Sequence, residues 1–581
     1  SARRGSKEVG FPVLATTISL VAVLIPLSLL SGNLGRLFRE FALTMAGSVL
    51  ISTFVALTLV PMMCAQFLTV TSVHGRLYRA IETFFSGLNH GYERSLTWAI
   101  THRKTIGLFL LTTIGLGLFL LTIIPATLVP VEDRGRFITI IKAPQGSTLS
   151  YTAQTLDQVE ARIQQIPEVE VFFEAVGFSL GGPPSTSNGI VFTRLVDWRD
   201  RAVKQQTIVG QLFPEFFALP GALVFPINPP SLNQRSINDL EFIIKNASAT
   251  QEEFTQAINT MLDHVRGLRS LINVDGDLRL DNPQLDMVFD RDRAADLGVP
   301  VSSVAQSLQI LLSQSKIDEF IMRSKQYDVI TALASRYRSL PEQIGEIYVR
   351  SRSGSMVPLS SLVQAVPSIA PARLNRYDLQ RSATITGSLA PGATLGAMLA
   401  DVQAIAADVL PAGFSSALGG SAREFVESSA AVYLTFLIAL AFIYLVLSAQ
   451  FENFFHALTI LGSVPLALCG ALLVLFATGH TLNLYSQIGI ILLVGLVTKN
   501  SILLVDYANQ ERARGKDLLT AVLEAGRSRF RPILMTSVTS IFGALPLALA
   551  TGAGAESRRP IGAAVVGGLT FSTAFTLLVI P

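Results

Sequence analysis

The chain has 581 residues, half of them apolar and 15% charged, with a formal net charge of +3. A soluble globular protein carries about a quarter charged residues, and so balanced a charge gives no case for a nucleic-acid partner. Two cysteines, Cys64 and Cys469, both inside apolar runs, can build neither a disulfide framework nor a metal cluster.

The first residues, Ser1-Ala-Arg-Arg-Gly-Ser-Lys7, carry no leader pattern and read as an internal loop, and Pro581 falls inside an apolar run. A segment of a longer protein is the expectation. Apolar runs of bilayer-spanning length cover 11–31, 41–68, 105–128, 429–448, 454–477, 484–507 and 532–551, with a shortened eighth at 561–581. Pro26, Pro61 and Pro465 fall within or at the ends of these runs, where neighbouring helices can satisfy the freed backbone. Between the second and third runs, Gly75 to His90 is amphipathic and reads as a helix lying in the membrane interface.

Positive charge sets the orientation. Arg3, Arg4 and Lys7, then Arg76, Arg79, Arg94, Arg103 and Lys104, then Arg512, Arg514, Lys516, Arg527, Arg529 and Arg531 all fall on one side under strict alternation. That side is expected to be cytoplasmic, which places 129–428 on the opposite face as an insert large enough for two or three domains. Its first part reads as strand 136–142, helix 149–166, strands 169–175 and 190–196, helix 204–217 and strand 222–225. That βαββαβ order is the ferredoxin-like, split-βαβ motif. A second unit is expected from strand 239–245, helix 251–265 and strand 284–289, interrupted by a strand-rich insert at 328–371. It resumes with strand 382–387, helix 395–409 and a last strand near Phe414.

Lys499 lies inside the apolar run 484–507, two turns from Asp506. A lysine at that depth costs about 2.5–3.5 kcal/mol on insertion scales, so chains that keep one usually use the charge, pairing it with a carboxylate or coupling it to ions. Snorkelling from a helix end is the plainer alternative, and the residue's distance from the flanking polar positions weighs against it.

Gly495-Leu-Val-Thr-Lys-Asn-Ser-Ile-Leu-Leu-Val-Asp506, Arg529-Phe-Arg-Pro-Ile-Leu-Met-Thr-Ser537 and Thr551-Gly-Ala-Gly554 resemble the resistance-nodulation-division (RND) transporters. The best match is their hydrophobe/amphiphile, AcrB-like efflux branch. Leu128-Val-Pro-Val-Glu-Asp-Arg-Gly135 and Ala390-Pro-Gly392 extend the resemblance over essentially the whole chain. It implies the C-terminal half of such a pump: a polytopic α-helical membrane domain in the bacterial inner membrane, with a large periplasmic α+β insert containing ferredoxin-like βαββαβ subdomains. The implied division is membrane helices over 1–68, a cytoplasmic-side interfacial helix over 69–104 and a further span over 105–128. Porter subdomains then occupy 129–228 and 229–327 with 372–428, a docking-like insert 328–371, and membrane helices 429–581.

By the resemblance, Lys499, Thr536 and Arg529, with Asn500 beside the lysine, belong to a proton relay around an aspartate pair that would precede Ser1. Thr536 has the simpler alternative of bonding back to its own helix, Arg529 that of ordinary cytoplasmic charge, and Asp506 lies near the boundary, where a bland role suffices. Gly177, Phe178, Ser179, Leu180 and Gly181 match a glycine-bearing switch loop, with Leu180 standing where a second phenylalanine is common. Phe173, Ala175, Phe178, Leu180 and Phe192 would face a deep substrate pocket, and Phe225, Ile227 and Arg323 an outer one. Aromatic walls suit many amphiphiles because they offer area without a fixed hydrogen-bond pattern, although a phenylalanine on a strand is as often core.

The resemblance further implies a proton antiporter rather than an enzyme, with no nucleotide or other cofactor. It implies amphiphilic drugs, detergents and dyes as substrates, a homotrimer, a periplasmic adaptor protein and an outer-membrane channel. No phosphate-binding Gly-rich loop followed by Lys-Ser/Thr occurs, which argues against ATP drive. Two alternatives are weighed: a metal-ion exporter, against which the dispersed Met261, Met287, Met322, Met356 and Met398 argue, and a non-pumping membrane scaffold or protein-translocation auxiliary, where a scaffold would have no use for Lys499.

Overall fold

A chain segment in lipid must satisfy its own backbone hydrogen bonds, so long apolar runs fold as helices. The computed structural model describes residues 2–30, 32–67, 76–179, 184–230, 238–371, 373–390 and 392–581. Among these residues, eight helices are long and apolar enough to cross a membrane. The chain starts with α1 (Ala2–Ser28) and α2 (Gly32–Phe67), packed along each other, then α3 (Arg76–Thr101) and α4 (Arg103–Ile123). The amphipathic α3 continues well past His90, where the sequence pattern had placed its end.

The first unit outside the membrane helices comprises β1 (Arg136–Lys142), α5 (Leu149–Ile163), β2 (Val169–Val176), β3 (Asn188–Leu195), α6 (Gln205–Phe217) and β4 (Leu223–Ile227). Its strands form one antiparallel sheet in the order β2-β3-β1-β4. Phe137, Ile141, Val191, Leu195 and Val224 turn toward α5 and α6, where they join Leu156, Val159, Ile163, Leu212 and Phe216 in a closed core. Alternation along a strand then sends Ile138 and Ile140 to the opposite face.

The second unit is built by β5 (Leu240–Asn246), α7 (Gln251–Arg266) and β6 (Leu271–Gly276) before the chain departs. Thr250 caps α7 by accepting from the Glu253 N–H while the Glu253 carboxylate accepts from the Thr250 N–H. The excursion contains β7 (Asn282–Phe289), α8 (Arg291–Asp296), α9 (Val301–Leu312), β8 (Lys316–Met322), β9 (Lys325–Ile330), β10 (Tyr348–Arg350), β11 (Met356–Pro358) and β12 (Val363–Ala370). The chain returns as β13 (Asn375–Tyr377), β14 (Gln380–Leu389), α10 (Leu395–Val409) and β15 (Ser415–Gly419), giving a sheet of order β13-β14-β5-β15 with β6 on β14. The strand expected at 284–289 does not belong to this sheet: as β7 it pairs with β12 in a separate ribbon. The sheet takes β6 instead, a short strand passed over in the sequence because its Asn273, Asp275 and Gly276 blur the apolar pattern.

Six helices complete the chain: α11 (Gly420–Phe451), α12 (Phe454–Leu461), α13 (Ser463–Ala477), α14 (Leu484–Ala513), α15 (Leu518–Ala548) and α16 (Ala555–Val579). The span expected at 454–477 is present as one crossing segment, with a turn at Gly462 dividing it into α12 and α13, and that at 532–551 is the later part of the longer α15. α14 is central, packing on α1, α12, α13, α15 and α16. Asn483 caps it, its side-chain oxygen accepting from the Tyr485 and Ser486 N–H groups. The amphipathic α3 lies against α15 and α16: Tyr92 stacks on Phe530 at 4.6 Å and donates to the Leu577 carbonyl at 3.0 Å. Arg527 and Arg531 reach Glu93 and Glu82 of α3 at 2.6 and 2.9 Å.

Candidate functional site

Lys499 stands at mid-length of α14 and is the one exposed residue between Leu484 and Glu511. Its neighbours Thr498 and Asn500 are buried against the surrounding helices, and among the described residues no hydrogen bond or ion pair reaches its ammonium. Across from it, the Asn500 amide donates to the Ser537 hydroxyl on α15 at 3.1 Å. One further link, the Arg529 guanidinium stacked 4.6 Å over the Tyr507 ring, fixes the antiparallel register of α14 and α15. That register sets Thr536 level with Lys499–Asn500, and Arg529 level with Asp506–Tyr507.

Thr536 donates to the Ile533 carbonyl of its own helix at 3.0 Å, the plainer of its two expected roles. Ser537, which the motif did not single out, makes the contact to α14 instead. Arg529 has a buried Nε without a partner among the described residues, and Asp506, 8% exposed, accepts from Gln510 at 2.7 Å. Lys499 and Asp506 are seven residues apart, close to two helical turns, so they share one stripe of α14.

The first sheet gathers most of the proposed substrate residues on the face turned away from α5 and α6. Cross-strand pairing puts Phe173, Phe192, Ile138 and Ile227 in one row, and Ala175, Ile190, Ile140 and Phe225 in the next. Phe173 and Phe192 stack at 6.3 Å, with Phe173 64% exposed. At the end of β2, Gly177 takes φ +79°, a conformation that suits glycine. Its N–H donates to the Asn188 carbonyl and its carbonyl accepts from the Ser185 N–H, which clamps the base of the loop carrying Phe178 and Ser179. Leu180 and Gly181 lie outside the described residues. Arg323, expected near the outer pocket with Phe225 and Ile227, occupies the turn between β8 and β9 at φ +50°.

A cleft of about 380 Å³ opens between the two units. Ile140, Phe178, Ser179 and Phe225 line it from the first unit, and Asp275, Asp277, Arg279 and Arg373 from the second. Lys142 of β1 crosses it to Asp275 at 2.8 Å, and Arg279 contacts both oxygens of the same carboxylate at 2.8 Å. Burial opposes ionisation of Asp275, but Lys142 and then Arg279 outweigh it and hold the carboxyl below its usual range. At Asp277 burial dominates over hydrogen bonds from the Thr384 N–H and Asn375, and the carboxyl is pushed up. Sequence reasoning missed Ile138, Ile140, Lys142, Asp275 and Arg279. The signal for the first three was present in Arg136-Phe-Ile-Thr-Ile-Ile-Lys142, whose apolar residues fall on both faces of a strand, as happens when both are covered.

The depressed Asp275 carries a pH prediction. An acid whose folded pKa lies below its unfolded value adds stability that is complete above the unfolded value, about 3.9 for aspartate, and is lost as pH falls through the folded one. Thermal unfolding should therefore give Asp275→Asn a lower midpoint than the native protein at pH 6–7, with the gap closing below about pH 4. A gap that widened on acidification would remove the cross-cleft pair from the account.

The sequence profile of the AcrB/AcrD/AcrF family matches residues 1–581. An uncharacterized transporter of Haemophilus influenzae is 33% identical over 584 residues, covering 99% of this chain and 56% of its own length. Multidrug resistance protein MdtC of Serratia proteamaculans is 34% identical, again over 99% of this chain and 56% of its own. MdtC of Yersinia enterocolitica is 33% identical over 100% of this chain and 57% of its own. The chain thus spans about half the length of the curated relatives it matches. With this match over every residue, and eight apolar helices bracketing two α+β units, the chain belongs to the AcrB/AcrD/AcrF family of RND transporters.

Proposed function

We propose that this chain is the energy-coupling and substrate-gathering half of a proton-driven exporter of amphiphilic and hydrophobic compounds. In this reading it sits in the bacterial inner membrane with residues 129–428 in the periplasm, and takes drugs, detergents or dyes from the periplasm or the inner membrane. The observation that carries the reading is Lys499 at mid-length of the central apolar helix, with no hydrogen bond or ion pair to its ammonium among the described residues, Asn500 tied to Ser537 next to it, Thr536 at its level and Arg529 two turns away beside Tyr507. An ammonium there stabilises a nearby carboxylate in its ionised form. When that acid takes a proton, the lysine loses its partner and the helices can shift.

One proton supports a substrate gradient of roughly a few hundred-fold, somewhat short of a thousand-fold. A proton crossing ~100 mV releases about 2.3 kcal/mol, and one pH unit adds about 1.4, against about 4.1 for a thousand-fold substrate gradient. On the outer side, the two βαββαβ-ordered sheets are read as ferredoxin-like porter subdomains. Phe173, Ala175, Phe192, Phe225 and Ile227 supply an apolar face, with Phe178 on the clamped loop at its edge. The strand-rich insert is read as the surface that meets a periplasmic adaptor and an outer-membrane channel, in a homotrimer. The multidrug-resistance names of the MdtC relatives support drugs as substrates.

The test is export of a fluorescent amphiphilic dye from energised cells expressing the intact protein. Export should stop when a protonophore collapses the gradient and continue when ATP alone is depleted; persistence without the gradient would overturn the reading.

A further inference from the structure

The first unit and the membrane helices meet in a joint that none of the roles above uses. Directly after β3, the chain forms a turn in which the Trp198 indole lies flat over Gly552, in the 549–554 connection between α15 and α16. The contact is so close that a Cβ on Gly552 would come 2.7 Å from Cη2 and 2.8 Å from Cζ2 of the ring. Gly552 is at φ +81°, so both its conformation and the space above it exclude a side chain.

The connection is itself stiff. Arg559 donates to the Ala550 carbonyl at 2.7 Å, and Arg558 to the carbonyls of Ala553 and Gly554. The tryptophan turn is equally held, because Asp133 accepts from the buried Arg201 guanidinium and from the Gln205 N–H. Lys204, at the start of α6, faces Glu556 of α16 at 3.9 Å. The first unit and the α15–α16 connection therefore meet here through the indole, with the Lys204–Glu556 pair beside it.

We infer that Trp198 is a positioning residue that transmits movement of α15 and α16 to β3, and through it to the apolar face carrying Phe192. This rests on the proton-coupling reading, since α15 bears Thr536 and Arg529 and packs along α14 with Lys499. A displacement of α15 at the relay reaches its end at the 549–554 connection and presses on the indole. The indole follows Leu195, the last residue of β3, by three positions, and Phe192 lies three before that end. Stacking area rather than polarity carries the push, so a smaller flat ring should partly replace it.

The experiment measures dye export and substrate-stimulated proton flux in proteoliposomes holding the intact transporter. Trp198→Ala should lower maximal export about ten-fold while proton flux continues and the half-saturating dye concentration changes little. Trp198→Phe should restore most of the export. Gly552→Ala, which disturbs the contact from the membrane side, should reproduce the uncoupled behaviour and decides the matter if Trp198→Ala does not reach the membrane. Unchanged export, or parallel loss of export and proton flux in Gly552→Ala, overturns the inference. Lys499→Ala run alongside separates the two ideas: if it leaves proton flux intact, the proton-coupling reading fails whatever Trp198 does.

Discussion

Lys499→Ala is expected to cut proton-dependent export to less than about a tenth, while the protein becomes no less stable. The two halves of this expectation pull apart what a structural lysine and a coupling lysine would do. Removing the ammonium from an apolar span relieves a cost of about 2.5–3.5 kcal/mol, which offsets the loss of the carboxylate that the coupling reading places beside it, and no hydrogen bond among the described residues is lost. Thermal unfolding in detergent should therefore stay level or rise. Lys499→Arg should not restore export, because a guanidinium keeps its charge in every state and spreads it over a plane. Full export by the alanine variant would falsify the relay; a large fall in unfolding temperature would make Lys499 a structural residue.

Gly562→Ala is expected to destabilise the membrane domain by about 3 kcal/mol, the upper end of the overpacking range. A Cβ at this position would meet the Ala548 nitrogen at 2.1 Å and its Cα at 2.6 Å. Those atoms are backbone of α15 and cannot rotate away, so α16 would have to withdraw from it. Gly568, where a Cβ would fall 2.0 Å from a Leu493 methyl group and 2.9 Å from the Ala467 carbonyl, should behave similarly but more mildly, since part of the obstruction is a side chain. Gly543→Ala on α15 is the control: nothing lies within 4 Å, and no loss is expected. Unfolding midpoints of the three variants check the order. Small residues let helices approach closely in a membrane, where no hydrophobic drive holds them together.

Much of this architecture was legible along the chain. The spans follow from run length, and the first unit's order from the change between two-residue and 3.6-residue periods. The rows containing Phe173, Phe192 and Phe225 were partly legible, because alternation names the face of a strand although it cannot name the partner strand. Failures occurred where distant segments meet. β6 pairs with β14 across more of the chain than any local window samples, and Asn273, Asp275 and Gly276 within it look like loop. β7 was plainly a strand, but its partner β12 lies at the far end of the same excursion.

The amino-acid sequence alone settled which stretches enter lipid, that a charge is kept among them at Lys499, and the family to which the chain belongs. These are matters of composition and short period, written within one or two turns of the backbone. Tertiary structure decided that Ser537 rather than its neighbour Thr536 reaches Asn500, that Lys142 crosses to Asp275, and that Trp198 covers Gly552. The rotation of one helix against another, and the approach of two separately folded units, are fixed by packing over the whole molecule, and no local pattern of residues records them.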